Sequence, residues 1–470
     1  MPDTELAFAG LARQSELVRV GEVSPRELVE LYLERIERLD RKVNAFRVVR
    51  AEQALAEADE AAKRRDSGEE APLLGVPIAV KDSQNVAGEL TTHGTNAVDV
   101  PAAEDSEMVR RLRAAGAIVI GKTNLPELAF AGFTETETWG VTRNPWNTDR
   151  VPGGSSGGSG AAVAAGLVPC ATASDGAGSI RIPSACCGLF GLKPQRGRIS
   201  LAPDAEHWHG LSVNGCVSRR VIDTALYLDV TAGATPVDAH AAPPPERPFV
   251  EAASTPPGRL RIALSTKPIT AMLPPIVEDS VKRAVADTGE LLRSLGHEVA
   301  ERDPRYGAIG SHVTTLYFKG IRNEGVSLPH PERLERRTRG LLRIGGLYPP
   351  PAVRRAKRLQ RTYAERLNRL FDDHDVLITP SIGTAPVEVG KWAGQGALRT
   401  VTSMARYFPF TAQWNFTGNP AAGVPAGFDD DGLPLSVQLV GRPNDEATLL
   451  SLAAQIEAER PWAERRPPVA

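Results

Sequence analysis

One lysine and two glycine-framed serine clusters in this chain have the type and setting for covalent hydrolytic chemistry. Lys81 closes the apolar run LLGVPIAVKD, Ser155 lies in GGSSGGSG, and Ser179 lies in DGAGSIR. A serine hydroxyl is a poor nucleophile at its own pKa and must lose its proton to a neighbour as it attacks. Lysine accepts that proton only when neutral, and with a reference pKa near 10.4 roughly one lysine in 2500 is neutral at pH 7. Burial lowers a lysine pKa by several units, so a lysine ending a buried strand is suited to act as a base. Serine paired with lysine is a known variant of the serine–histidine–aspartate logic. Other glycine-rich turns fit less well. A phosphate-cradling loop needs a lysine directly after its glycines, and none follows here. Gly153-Gly154-Ser155-Ser156-Gly157 does match the G-x-S-x-G nucleophile elbow, which requires a preceding strand and a histidine. Asp149-Arg150-Val151-Pro152 reads as a turn, and no downstream histidine has a recognisable context, so a Ser-His-Asp α/β-hydrolase is the weaker alternative.

These residues must be positioned by the elements around them. Glycine at the density of Pro152 to Ser200 is kept where the backbone takes unusual dihedrals or approaches another atom closely. Upstream, Ser24-Pro25-Arg26-Glu27 is a helix start with a serine cap, proline at the first turn and glutamate three residues on, and Leu28, Leu31, Tyr32, Ile36 and Leu39 follow at helical spacing. A second helix is expected over 50–65. The run before Lys81 reads as a buried strand, with Pro77 at an edge or at its start. A helix over 104–115 followed at once by AIVIG is an α-to-β unit, which argues for a sheet covered by helices. Asn144-Pro145-Trp146-Asn147 is loop chemistry, and Ser159 is expected to cap the helix after the first serine cluster. Prolines from 243 to 257 mark an exposed connection. Beyond it come a strand at RLRIALS, a helix over 276–295, a strand at HEVAE, and an arginine-rich stretch over 331–370 that reads as an amphipathic helical cap. DVLITPS, LPLSVQLVG and a helix from about Glu446 return the chain to α/β style.

Composition narrows the function classes. Of 470 residues, 55 are basic and 57 acidic, a balance that argues against a dedicated nucleic-acid or membrane-surface protein. The N-terminus has no signal-peptide pattern and no run approaches the roughly 18 apolar residues of a spanning helix, so a cytoplasmic protein is expected. Cys170, Cys186, Cys187 and Cys216 lack C-x-x-C spacing and read as reduced, buried thiols. His207-Trp208-His209 lacks nearby partner ligands, and it reads as a loop rather than a zinc site.

The pieces GVPIAVKD, NPWN, PGGSSGGSG, SDGAGSIRIPSACCGLFGLKPQRGRIS, TGNPAAGVPAGF and LPLSVQLVG occur in one order across 73–441, and in them the chain resembles the amidase signature family. The resemblance implies an α/β fold with a large twisted mixed β-sheet core covered by helices on both sides. It implies a single domain over 1–470: N-terminal helices to 70, signature core over 71–232, proline-rich connection over 233–260, helical cap and strands over 261–400, and a return to the core over 401–470. It further implies that Ser179 is the nucleophile, that Ser155 relays protons from a cis peptide after Gly154, and that Lys81 is the base. The N–H groups of Gly176, Ala177, Gly178 and Ser179 would form the oxyanion hole, where each preorganised donor is typically worth about 3 kcal/mol. SDGAGS stands where the family commonly has TDGGGS; Ala177 still supplies its N–H. Asp175 and Arg181 are expected to form a salt bridge that holds the loop. No cofactor and no metal are implied.

For substrate, the resemblance places Ala129, Phe130, Ala131 and Phe133 on the acyl side of the pocket, a loop over 204–210 with Trp208 as a gate, and Trp414 in the lining. Such side chains suit small uncharged, hydrophobic or aryl amides, and the same chemistry extends to esters and carbamates (urethanes). The partners expected are this small substrate and water, with neither nucleic acid nor membrane. The alternative within the resemblance is the glutaminase subunit of a tRNA-dependent amidotransferase, which would need groups that recognise glutamine.

Overall fold

The computed structural model describes residues 2–470. Its core consists of two mixed sheets. One has the strand order Phe46–Val49, Ile118–Thr123, Pro77–Lys81, Cys170–Asp175, Val213–Ser218. The other runs Glu298–Glu301, Arg261–Leu264, Val376–Pro380, Pro434–Gly441, Ala421–Phe428, Gly191–Lys193. A bridge between Phe190 and Ser218, with reciprocal backbone hydrogen bonds of 3.0 and 3.1 Å, joins the end strand of the first sheet to that of the second. The large mixed β-sheet core that the resemblance implied is thus present, built as two mixed sheets stitched at this bridge. Helices pack on them and the class is mixed α/β.

Local signals place the elements that matter. Ser24 and Glu27 form a reciprocal capping box on the helix Pro25–Val43, which ends at left-handed Asn44. Pro77 opens a strand that lies centrally, paired in parallel with both neighbours, so its missing N–H falls at the start rather than at a sheet edge. Every residue of that strand is buried, which explains its uninterrupted apolar pattern up to Lys81. The parallel neighbour Cys170–Asp175 carries the chain to the second serine cluster. The first cluster opens the wholly buried helix Gly157–Ala164, whose small residues let it lie against the sheet.

Two readings are corrected. Ser159 does not cap this helix: it sits inside it, with its hydroxyl donating to the Thr172 carbonyl at 2.8 Å and 2.8 Å from the Thr123 hydroxyl. The proline-rich stretch is not wholly an exposed connection, because Phe249–Ala253 forms a short helix with Phe249 buried against its neighbours. The arginine-rich segment folds into the helices Arg336–Gly346 and Pro350–Asn368, which bury Leu341, Leu342 and Val353 and pack with Ile309–Ser327 as a cap.

Candidate active site

Lys81 is fully buried at the end of its strand. Its Nζ donates to Ser155 Oγ at 2.8 Å and to Ser174 Oγ at 2.9 Å. Burial pushes its pKa down to about 7, against opposing pulls from Asp175 and Glu324. An amine with that pKa is neutral in a large fraction of molecules at pH 7, and it already faces a hydroxyl. The Gly154–Ser155 peptide is cis. The N–H of Ser156 donates to the Ser179 carbonyl at 3.4 Å, so the two serine clusters lie side by side. Ser155 is buried, while Ser179 is half-buried and opens onto a cavity.

Asp175 organises the turn that bears Ser179. Its carboxylate accepts from the N–H groups of Gly178 at 2.6 Å and Ile180 at 3.2 Å, and it receives Arg181 Nε and Nη2, each at 2.9 Å. Burial alone would raise this carboxyl, but Arg181 and Asn415 hold it well below the usual carboxylate range. Arg181 also donates to the Thr411 carbonyl, Gln438 and Asn415, which locks the turn to the returning C-terminal segment. The expected salt bridge is present, with both side chains fully buried. One expectation fails here. The Gly178 N–H is committed to Asp175, so it does not face the cavity as a free donor. The N–H groups of Gly176, Ala177 and Ser179 have no acceptor among the described residues. Gly178 instead supplies a left-handed backbone (φ 129°), which Ala at that position would strain.

The cavity beside Ser179 holds about 100 Å³ and is almost wholly apolar. Ala129, Phe130, Ala131, Ala177 and Trp208 line it; Val313, Tyr317 and Phe318 of the cap helix, with Met272 and Met404, close it. Two predicted lining residues do not reach it. Phe133 is buried behind the wall, stacked on Trp392 with ring centroids 4.7 Å apart. Trp414 is buried edge-on against Tyr306, 6.2 Å between centroids. Met272, Val313, Tyr317, Phe318 and Met404 were not foreseen, because they lie more than ninety positions from the serine clusters and carry no motif. Ser174, the second acceptor for Lys81, was also missed, although it immediately precedes Asp175. No group of three or more His, Cys, Asp or Glu among the described residues is arranged to hold a metal. All four cysteines are free and buried, and burial pushes the thiols of Cys186 and Cys187 up.

The profile of the amidase family matches residues 27–450. The chain is 51% identical to the protein named "Putative amidase AmiB2" of Mycobacterium tuberculosis over 470 residues, the whole of both chains. It is 35% identical to the 6-aminohexanoate-cyclic-dimer hydrolase of Paenarthrobacter ureafaciens, over 97% of this chain and 95% of that one. A solved structure of 6-aminohexanoate cyclic dimer hydrolase with its substrate superposes with a TM-score of 0.90 at 32% identity, covering 98% and 99% of the two chains. A bacterial aryl acylamidase superposes with a TM-score of 0.86 at 26% identity, covering 97% of each. The fold and the site thus define a hydrolase that acts on amides. The chain belongs to the amidase signature family.

Proposed function

We propose that this protein hydrolyses small uncharged, hydrophobic or aryl amides through a Ser179 acyl-enzyme, with Lys81 as base and Ser155 as relay. The observation that carries the reading is the buried Lys81 Nζ, 2.8 Å from Ser155 Oγ, beside a serine that opens onto an apolar cavity. In this mechanism Ser179 Oγ attacks the carbonyl carbon as its proton passes to Ser155, whose own proton moves to neutral Lys81. The carbonyl electrons move onto oxygen, facing the N–H groups of Gly176, Ala177 and Ser179. As the tetrahedral species collapses, the C–N bond breaks and the proton returns through Ser155 to the departing amine. Water then repeats the sequence on the acyl-enzyme, releasing the acid and restoring Ser179.

Esters and carbamates present the same carbonyl and fall within this chemistry; a carbamate would yield amine, alcohol and carbon dioxide. The cavity lining contains no charged side chain among the described residues, which supports uncharged substrates. It also weighs against the glutaminase reading, since the ammonium and carboxylate of glutamine would lack ionic partners there. The Ser-His-Asp alternative is disfavoured because Ser155 is partnered by lysine rather than histidine.

The test is a panel of anilides, aliphatic amides, esters and carbamates, assayed with the wild type and with Ser179→Ala, Lys81→Ala and Ser155→Ala. Turnover should fall at least about a thousandfold for the first two variants and by a smaller but large factor for the third. A fluorophosphonate should label Ser179 by peptide mapping. Near-normal turnover by Ser179→Ala, or labelling at Ser155, would sink this assignment.

A further inference from the structure

Trp208 stands against the candidate active site in a conformation that needs an explanation. Its backbone is left-handed, φ 48°, and so is that of His209, φ 56°. For a bulky side chain this region is unfavourable, and such residues persist only where surrounding structure enforces them. The ring is packed on three sides. A Cβ at Gly176, in the serine-bearing turn, would lie 3.0 Å from Trp208 Cε3, and a Cβ at Gly320, on the cap helix Ile309–Ser327, would lie 2.7 Å from Trp208 Cγ. Tyr317 of the same helix meets it edge-on at 5.3 Å. His207 stacks on it with ring centroids 5.7 Å apart, and Trp208 lines the cavity together with Ala177 and Ser179.

One polar contact fixes the ring's direction. Trp208 Nε1 donates to Glu324 Oε2 at 2.7 Å. Glu324 lies on the cap helix and is itself enclosed: His207 Nε2 is 3.3 Å from Oε2 and His93 Nδ1 is 3.2 Å from Oε1. Burial would raise its carboxyl, but the two histidines hold it well below the ordinary range, so it remains a charged acceptor. The contact also reaches a second stretch of the lining, because the His93 carbonyl accepts from the Leu128 N–H just before Ala129 and Phe130. Around it the loop is tied down again, by Lys357 to Glu206 at 2.6 Å and by Gln360 to the His209 carbonyl at 3.2 Å.

We propose that Glu324 is a positioning residue that holds Trp208 as a fixed flat wall of the cavity, and that this pair selects aryl or similarly flat acyl groups over small aliphatic ones. This rests on the reading of Ser179 as the reacting serine, since Trp208 is placed relative to it. On this view the loop over 204–210 is a wall set by the cap rather than a freely moving gate.

The experiment compares kcat/KM for a benzoyl and an acetyl anilide. Trp208→Phe keeps a ring but loses the indole N–H; Glu324→Leu loses the acceptor; Glu324→Gln keeps one. The benzoyl-to-acetyl preference should fall about tenfold in Trp208→Phe and Glu324→Leu, mainly through KM for the benzoyl substrate, and recover to within about threefold in Glu324→Gln, as expected for one hydrogen bond to a charged group. Thermal melting and fluorophosphonate labelling accompany each variant. If Glu324→Leu melts cooperatively and is labelled at Ser179 yet keeps the wild-type preference, the proposal is overturned. The same holds if Glu324→Gln is as impaired as Glu324→Leu. Failure of the wild type to label at Ser179 overturns the mechanism above instead, so the two failures are distinguishable.

Discussion

At the scale of single residues, Lys81 carries opposing demands of stability and chemistry. Enclosure lowers its pKa from 10.5 to about 7. A displacement of that size corresponds to a folding penalty on the order of 5 kcal/mol for the protonated form. The penalty is fully present below pH about 7, where the lysine must be charged in both folded and unfolded chains. It fades as pH rises toward the unfolded value, where the amine is neutral in both states. Lys81→Met should therefore be more stable relative to the wild type at pH 6 than at pH 9. The difference between the two pH values in melting temperature or urea midpoint isolates the titration from the lost hydrogen bonds to Ser155 and Ser174. A pH-independent difference would mean that Lys81 does not change protonation in this window. Activity should follow the same group with the opposite emphasis, falling as pH drops below about 7.

At the scale of elements, the site depends on backbones that approach more closely than side chains allow. The helix Gly157–Ala164 crosses the strand carrying Lys122 and Thr123 so tightly that a Cβ at Gly158 would lie 2.5 Å from both backbone N and O of Asn124 and 2.6 Å from the Ala45 carbonyl. Neither neighbour is a flexible side-chain tip, so the helix itself would have to move, and with it Ser155 and Ser156 at its start. Gly158→Ala should cost about 3 kcal/mol or more and reduce turnover. Gly396→Ala is the control: that glycine has φ −72° and open space around its Cβ position, so its replacement should cost about 1 kcal/mol or less. Chemical denaturation of both variants decides the matter, and equal costs would contradict the close-approach account.

Across the whole molecule, the cavity is shared between the signature core and the helical cap. Val313, on the cap helix, lines it, whereas Phe133 lies behind the wall against Trp392. Val313→Phe should raise KM for a benzoyl anilide about tenfold while leaving an acetyl anilide within about threefold, because the added ring occupies acyl space. Phe133→Leu should instead lower stability by about 1–2 kcal/mol and leave the ratio of the two substrates unchanged. Steady-state kinetics with paired melts separates them; a selective KM change in Phe133→Leu would put that residue back in the pocket. No helix among the described residues is long and apolar enough to cross a membrane.

The sequence by itself determined the elements whose signals are local: the Ser24 capping box, the buried strand ending in Lys81, and the glycine-framed serines, since caps, periodicity and backbone freedom act over a few positions. It also determined the family, because the signature pieces stand in order along most of the chain. Tertiary structure decided what depends on distance through space. It set the commitment of the Gly178 N–H to Asp175, the burial of Phe133 and Trp414 away from the cavity, and the joining of the two sheets at Phe190. It also brought Glu324 to Trp208 across 116 positions of sequence. Apolar side chains carry the same pattern whether they face a cavity or the core behind it, and a hydrogen bond between distant segments leaves no periodicity in either; only packing tells them apart.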